Sequence, residues 1–313
     1  MTLYFLLFIF AVFVIFSPNA FADEYDDPVM NLKKPVNFEV DMLLINVVDI
    51  DKTNGHYVVD FWLVISSDDI NFKEIPPPEI DFTNGIIDSV SSVYVTEHFI
   101  EQRVQGKFFN KFDFRNFPFD VIDLKIIVEP VRPWTVEKAI LHVSPTSGID
   151  PDANVPGYIL GNQRFDIETH TYDLDNEVYP RFVANFSVEK SPLGSFLKVM
   201  FPVLIVLGIS FVAYIVPEHY EVSAAIALLP LVAVIFLHIN ILDQLPSLAY
   251  LTIFDKMMII VYAMIANNVV STGRQMREQT FRPENKSWLI NNVHLKLSPI
   301  IAAILGIILF VLL

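Results

Sequence analysis

The chain has 313 residues, 20 of them proline and 10 glycine, with no cysteine and a formal net charge of −15. Thiol catalysis, disulfides and Cys-based zinc sites are therefore excluded, and an acidic balance of this size disfavours nucleic acid as a partner. Residues 23–190 hold thirty Asp and Glu against fourteen Lys and Arg, while residues 191–313 hold six against seven, so the negative field belongs to the first part and concentrates cations there.

An apolar stretch over 3–16 runs into Ser17-Pro18 and then the small-x-small pattern Ala20-Phe21-Ala22. A signal peptide is expected over 1–22, with export of the chain from residue 23 onward. The n-region carries no Lys or Arg, which leaves an uncleaved anchor as the alternative.

Over 36–190 apolar and polar residues alternate in runs such as Tyr57-Val58-Val59-Asp60-Phe61-Trp62-Leu63 and Val121-Ile122-Asp123-Leu124-Lys125-Ile126, separated by turn-forming stretches such as Asp51-Lys52-Thr53-Asn54-Gly55. No long segment repeats every 3.6 residues. An antiparallel β-sandwich of about nine or ten short strands is the expectation, as a domain over 23–192.

From residue 193 the composition suits a bilayer. Four apolar spans are predicted, roughly 196–216, 222–242, 251–270 and 295–313, as a four-helix transmembrane domain over 193–313. The segment joining the third and fourth carries Arg274, Arg277, Arg282 and Lys286, which the positive-inside rule puts in the cytoplasm. The 217–221 turn then lies inside and the 243–250 loop outside, in agreement with an exported sandwich. The carboxyl terminus also falls outside.

The second span is bracketed by two acids. Glu221 and Asp243 stand about 33 Å apart along a helix, close to the thickness of the hydrocarbon core. Twenty-two steps of ~100° bring them to within about 40° of one face. That face reads Ala225, Leu229, Val232, Phe236, Ile239, and Pro230 can kink the helix or shift the register beyond it. A lipid-facing helix with acids marking its ends fits the same pattern. His238 and Asn240 flank the stripe, where polar groups are normally satisfied by a neighbouring helix.

Within the sandwich stands Phe117-Pro118-Phe119-Asp120, which resembles the signature loop of the pentameric ligand-gated ion channels, the Cys-loop receptor superfamily, in the bacterial form without the flanking cysteines. Pro78-Glu79-Ile80-Asp81-Phe82 is similar to the family's first binding-loop strand, Pro202 to the proline of its first transmembrane helix, and Leu245-Pro246-Ser247-Leu248-Ala249-Tyr250 followed by Asp255 to its second-to-third helix linker. Three departures accompany these matches: Ile65-Ser66-Ser67-Asp68-Asp69 stands where members carry Trp-x-Asp, no Trp occupies 143–151 where the second binding loop should lie, and Lys190 stands for the usual arginine before the first helix.

The resemblance implies a homopentamer in the cell membrane, with the second span lining a pore for monovalent cations. Glu221 and Asp243 would form carboxylate rings, and Leu229, Val232, Phe236 and Ile239 apolar rings able to dewet and close the pore. It also implies a gating interface of Asp51, Phe117, Pro118, Phe119, Asp120, Lys190, Pro246 and Tyr250, with Lys190 paired to Asp120 or Asp51. The hairpin over 170–179 holds Tyr172, Asp173, Asp175, Glu177 and Tyr179, which would suit a small organic cation or a divalent ion. A solvated turn explains the same residues. Phe61 and Phe82 either face that cleft or pack in the core, and a proton is a further candidate stimulus.

Catalytic readings are poor: His56, His98, His142 and His170 lack ligand spacing, and neither Gly-x-Ser-x-Gly nor a phosphate loop is present. No enzyme activity, cofactor or metal is expected. The competing function is a non-conducting, membrane-anchored sensor of the same architecture.

Overall fold

The computed structural model describes residues 28–174, 176–214, 220–281 and 288–312, and the side chains of all of these except 220, 221, 279, 288–291, 311 and 312. The predicted signal peptide and the 217–219 part of the predicted cytoplasmic turn lie outside them, as do Asp175, Arg282 and Lys286.

Among the described residues ten strands form two sheets: β1 (Val36–Asp51), β2 (His56–Ser66), β3 (Ile80–Asp81), β4 (Gly85–Val95), β5 (Phe99–Phe109), β6 (Val121–Pro130), β7 (Ala139–Val143), β8 (Gly148–Asn154), β9 (Ile159–Thr171) and β10 (Val178–Glu189). The first sheet runs β4-β5-β2-β1-β7, with β8 also on β1, and the second runs β3-β6-β10-β9. The predicted all-antiparallel arrangement holds for most pairs, but β1 meets β7 and β8 in parallel. The 16-residue β1 is long enough to take two short partners in succession along one edge.

Strict alternation of buried residues along β2 sends Tyr57, Val59, Phe61, Leu63 and Ile65 inward, as its sequence period of two requires. Phe108 sits at the centre of an aromatic group, its ring centroid 5.9 Å from Phe61 and from Phe82 and 6.2 Å from Tyr57. A Cβ on Gly85 would stand 2.6 Å from that ring, so the missing side chain makes room for it. Phe108→Ala should therefore destabilise the sandwich by about 3–5 kcal/mol. The check is a lower unfolding temperature of the full chain in detergent, and an unchanged one would contradict this packing.

Beyond the sandwich the described residues include four helices long and apolar enough to cross a membrane: α1 (Pro192–Tyr214), α2 (Tyr220–Leu242), α3 (Ile253–Phe281) and α4 (Trp288–Ile307), the last continued by a π-helical turn over Ile308–Leu312. Ser191 caps α1, its hydroxyl accepting from Gly194 N at 3.4 Å, and Pro192 occupies the first turn. Thr252 and Asp255 cap α3 reciprocally: Thr252 N donates to Asp255 at 2.9 Å, and Asp255 N donates to Thr252 Oγ1 at 3.1 Å.

The third helix runs well past the expected end near Val270. Ser271, Thr272 and Gln275 continue it as buried polar residues, following buried Asn267 and Asn268 within the expected span. Neighbouring helices satisfy several of them. Asn268 accepts from Tyr214 Oη at 2.6 Å and donates to Ser210 at 2.8 Å, while Asn267 donates to Ser298 at 2.8 Å and faces His294 Nδ1 at 2.7 Å. Hydrogen bonds thus tie α1, α3 and α4 together where apolar packing alone would not distinguish protein from lipid.

Candidate functional site

The signature loop lies between β5 and β6 and rests on the segment joining α2 to α3. Ile253 N donates to Arg115 O at 2.9 Å and Phe254 N to Phe117 O at 3.2 Å, so the start of α3 is hydrogen-bonded to the loop backbone. Tyr250 Oη accepts from Phe114 N at 2.9 Å, and the Arg115 guanidinium lies 5.2 Å from the Tyr250 ring centre. Phe117 is buried and meets Phe254 edge to face at 6.1 Å, whereas Phe119 is turned to the exterior. Pro246 is half-buried in the same linker.

The charged partners differ from those expected. Asp120 pairs with Lys52 at 2.7 Å, and the two side chains are 3% and 11% exposed. Lys190 instead stands 5.1 Å from the Tyr158 ring centre. Asp51 accepts from its own turn, 2.9 Å from Asn54 N and 2.7 Å from Asn54 Nδ2, and those bonds, the side-chain one first, hold its carboxyl below the usual range. The correction has a local cause: a turn that satisfies Asp51 internally leaves the adjacent Lys52 free to reach Asp120.

Lys52 Nζ also lies 5.5 Å from the Phe114 ring centre, 5.9 Å from Phe117 and 5.6 Å from Tyr158. Burial pushes the Tyr158 hydroxyl up to about 12, with Asp120 and Asp49 adding to the shift. Lys52, Arg115, Tyr158 and Phe254 were not singled out by the sequence. Only Lys52 carried a signal, as the neighbour of Asp51 in the same turn.

On α2 the predicted stripe falls on one side. Ala225, Leu229, Val232, Phe236, Ile239 and Asp243 are all exposed within the single chain, Leu229 at 68% and Phe236 at 63%, while Ser223, Ala227, Val234 and Ile241 form the inward face. The stripe therefore does not pack on the chain's own helices. Pro230 lies inside the helix and does not rotate the later stripe residues inward. Glu221 is the second residue of α2 and its side chain lies outside the described ones. His238 is satisfied by α3, Nδ1 standing 2.9 Å from Tyr262 Oη and Nε2 3.3 Å from Asp255.

The 170–179 hairpin holds its own cation. Arg181 pairs with buried Glu129 and lies 5.8 Å from the Tyr172 ring centre, while Tyr172 Oη donates to Glu129 at 2.9 Å. Glu177 accepts from Tyr179 Oη at 2.6 Å and pairs with Arg132. Asp173 is exposed, and Asp175 lies outside the described residues. Phe61 is fully buried against Phe82 at 5.9 Å, so it belongs to the core and not to a ligand cleft; inward alternation along β2 dictates this. Phe82 is buried too, and also borders a cavity of about 460 Å³ with Pro78 and Ile100. Among the described residues no group of three or more His, Asp or Glu is placed to hold a metal ion.

No family model matches the chain, and the comparison with curated proteins returns no match.

Proposed function

We propose that the chain is one subunit of a homopentameric ligand-gated ion channel selective for monovalent cations, with the sandwich and the carboxyl terminus outside the cell. The observation that carries this reading is the seating of the Phe117-Pro118-Phe119-Asp120 loop on the α2–α3 linker. The most channel-like element of the sandwich touches the helix pair that would line and gate a pore.

Two further features support it. The exposed stripe of α2 meets either lipid or other copies of the chain, and five copies around an axis would turn it into rings facing one another. The edge strand β4 exposes Ile86, Val90, Val93, Tyr94 and Val95, an apolar edge of the kind proteins normally shield by contact with another chain. Charge selection would come from Glu221 and Asp243 together with the acidic outer domain.

Reconstitution into planar bilayers tests the reading directly. Currents in asymmetric NaCl should reverse near the sodium potential, and Glu221→Gln should move the reversal potential toward zero. Reversal at the chloride potential would overturn cation selection. The second reading, a non-conducting sensor, is favoured by the absence of any Ser or Thr on the stripe between Glu221 and Asp243. A membrane-inserted pentamer that passes no current under any stimulus would establish it. An organic cation or a divalent ion at this hairpin is disfavoured by Arg181 at Tyr172, and among the described residues no carboxylate group is placed to hold a metal, leaving a proton as the simpler stimulus.

A further inference from the structure

Of the four described spans α4 has the least protein around it: 17% of its span is buried, against 33% for α3, the helix on which it packs. Lipid tails are as apolar as its outward side chains, so apolar packing does little to keep α4 seated and polar ties to α3 carry more of that task. The tie closest to the start of α4 runs through His294.

His294 is 4% exposed and stands one turn before Ser298, which is fully buried. Its hydrogen bonds fix which ring nitrogen carries the proton. Asn267 Nδ2 donates to the backbone oxygen of His294 at 3.0 Å and to Ser298 Oγ at 2.8 Å, and a carbonyl oxygen can only accept. Asn267 Oδ1 therefore faces the ring, and His294 Nδ1, 2.7 Å away, is the donor. Nε2 is left with a lone pair, 3.4 Å from Nη1 of Arg274. The neutral ring thus spans Asn267 and Arg274 of α3, as donor to the first and acceptor from the second.

A second proton can go only to Nε2. It turns the acceptor into an N–H aimed at a guanidinium, which has donors and no acceptor, and it brings two cations together where water is excluded. The other titratable and charged groups in the neighbourhood are few. Tyr214 of α1 accepts from Asn267 at 3.3 Å and donates to Asn268 at 2.6 Å. Lys296 and Arg277 are exposed, and Glu278 lies one turn beyond Arg274, on the side away from Asn267.

We propose that His294 is an acid-released latch between α3 and α4. The neutral ring holds α4 on α3 through Asn267 and Arg274, and a proton on Nε2 separates the two helices at this end. A detached ring is free to carry the charge in water, so acid favours release over the range below about pH 6.5, where an ordinary imidazole is protonated. On the orientation proposed above, the latch reads the cytoplasmic side, opposite the sandwich. It depends on the seating of α4 and not on conduction, so its failure leaves the channel reading standing.

The test is hydrogen–deuterium exchange of the full chain in nonionic detergent, read by mass spectrometry on peptides covering 292–302 at about pH 7.5 and about pH 5, on either side of the imidazole range. His294→Gln keeps one donor and one acceptor but takes no proton. Comparing it with wild type at the same pH cancels the pH dependence of exchange itself. The two should agree within about twofold at the higher pH, and wild type should exchange about tenfold faster at the lower one, with β2 peptides unchanged between them. Arg274→Gln sets an acceptor in place of the cation opposite Nε2, and it should exchange at least about threefold more slowly than wild type in acid. Arg274 is exposed, so this variant leaves the core intact and carries the test if His294→Gln does not fold. Exchange in acid equal to wild type in His294→Gln, or in Arg274→Gln, would overturn the proposal.

Discussion

In the proposed channel, Phe236→Ser should produce a leak without stimulus, with closed-state current raised at least about tenfold, equivalent to about 1.4 kcal/mol taken from the closed state. The effect originates on the exposed face of α2. Leu229, Val232, Phe236 and Ile239 present no hydrogen-bonding group, and all four are exposed in the isolated chain. Five such residues meeting at an axis form a constriction in which water loses hydrogen bonds and withdraws, blocking ions with no physical plug. A ring of serines lets water persist. Phe236→Leu keeps the ring apolar and should stay closed, so the pair separates wetting from a general loss of packing. Val234→Ser is a contrasting control, because Val234 is fully buried on the opposite face and its substitution should lower stability without opening the pore. If the stripe faces lipid instead, a serine at 236 bonds its own helix carbonyl and changes no current. Equal leak in wild type and Phe236→Ser, with both pentamers present, would remove the gate from this position.

Much of the architecture was legible because it rests on local periods. The alternation in β2 and β6 and the apolar length of the spans are imposed by which side of each element meets water or lipid, and each is written in neighbouring residues. Parallel pairing of β1 with β7 and β8 was not legible, since it depends on which distant strands arrive at one edge. β4 offered little pattern because it is an edge strand with most of its side chains exposed.

The length of α3 is hidden for a different reason. Hydropathy counts Asn267, Asn268 and Gln275 against a span, but bonds from Asn267 and Asn268 to neighbouring helices, and from Gln275 to Ser271 within α3, make such groups tolerable in a membrane. At the junction, the sequence located the loop and the linker but not the charge partners. Lys52 and Lys190 are equivalent on a string of letters, and only the turn that satisfies Asp51 decides between them. The core position of Phe61 is masked similarly, because an aromatic residue near a binding-loop motif reads alike whether it points inward or outward.

The pairing of Lys52 with Asp120 leads to the second large effect. Asp120→Asn removes the carboxylate from a sequestered pair and leaves an ammonium among the rings of Phe114, Phe117 and Tyr158. Breaking one side of a buried pair destabilises by about 3–5 kcal/mol, and the ring contacts of Lys52 do not offset this, because they are already made in the intact pair. A lower unfolding temperature is thus expected under any function. The double variant Lys52→Met, Asp120→Leu separates stability from coupling. Apolar side chains of similar volume often match or exceed a buried ion pair in stability, so unfolding should return to near the wild-type temperature. Yet the pin between the β1–β2 turn and the signature loop is gone. If that loop transmits a signal through Phe117 to Phe254, activation in the double variant should remain weakened although pentamer reaches the membrane in normal amounts. Phe254→Ala approaches the same contact from the helix side, at a fully buried residue of the continuous core, and should also lower maximal current. Surface pentamer, unfolding temperature and activation curve are measured together. Full recovery of activation in the double variant would make the pair a matter of stability alone; normal activation in Phe254→Ala as well would take the signature loop out of the gating path.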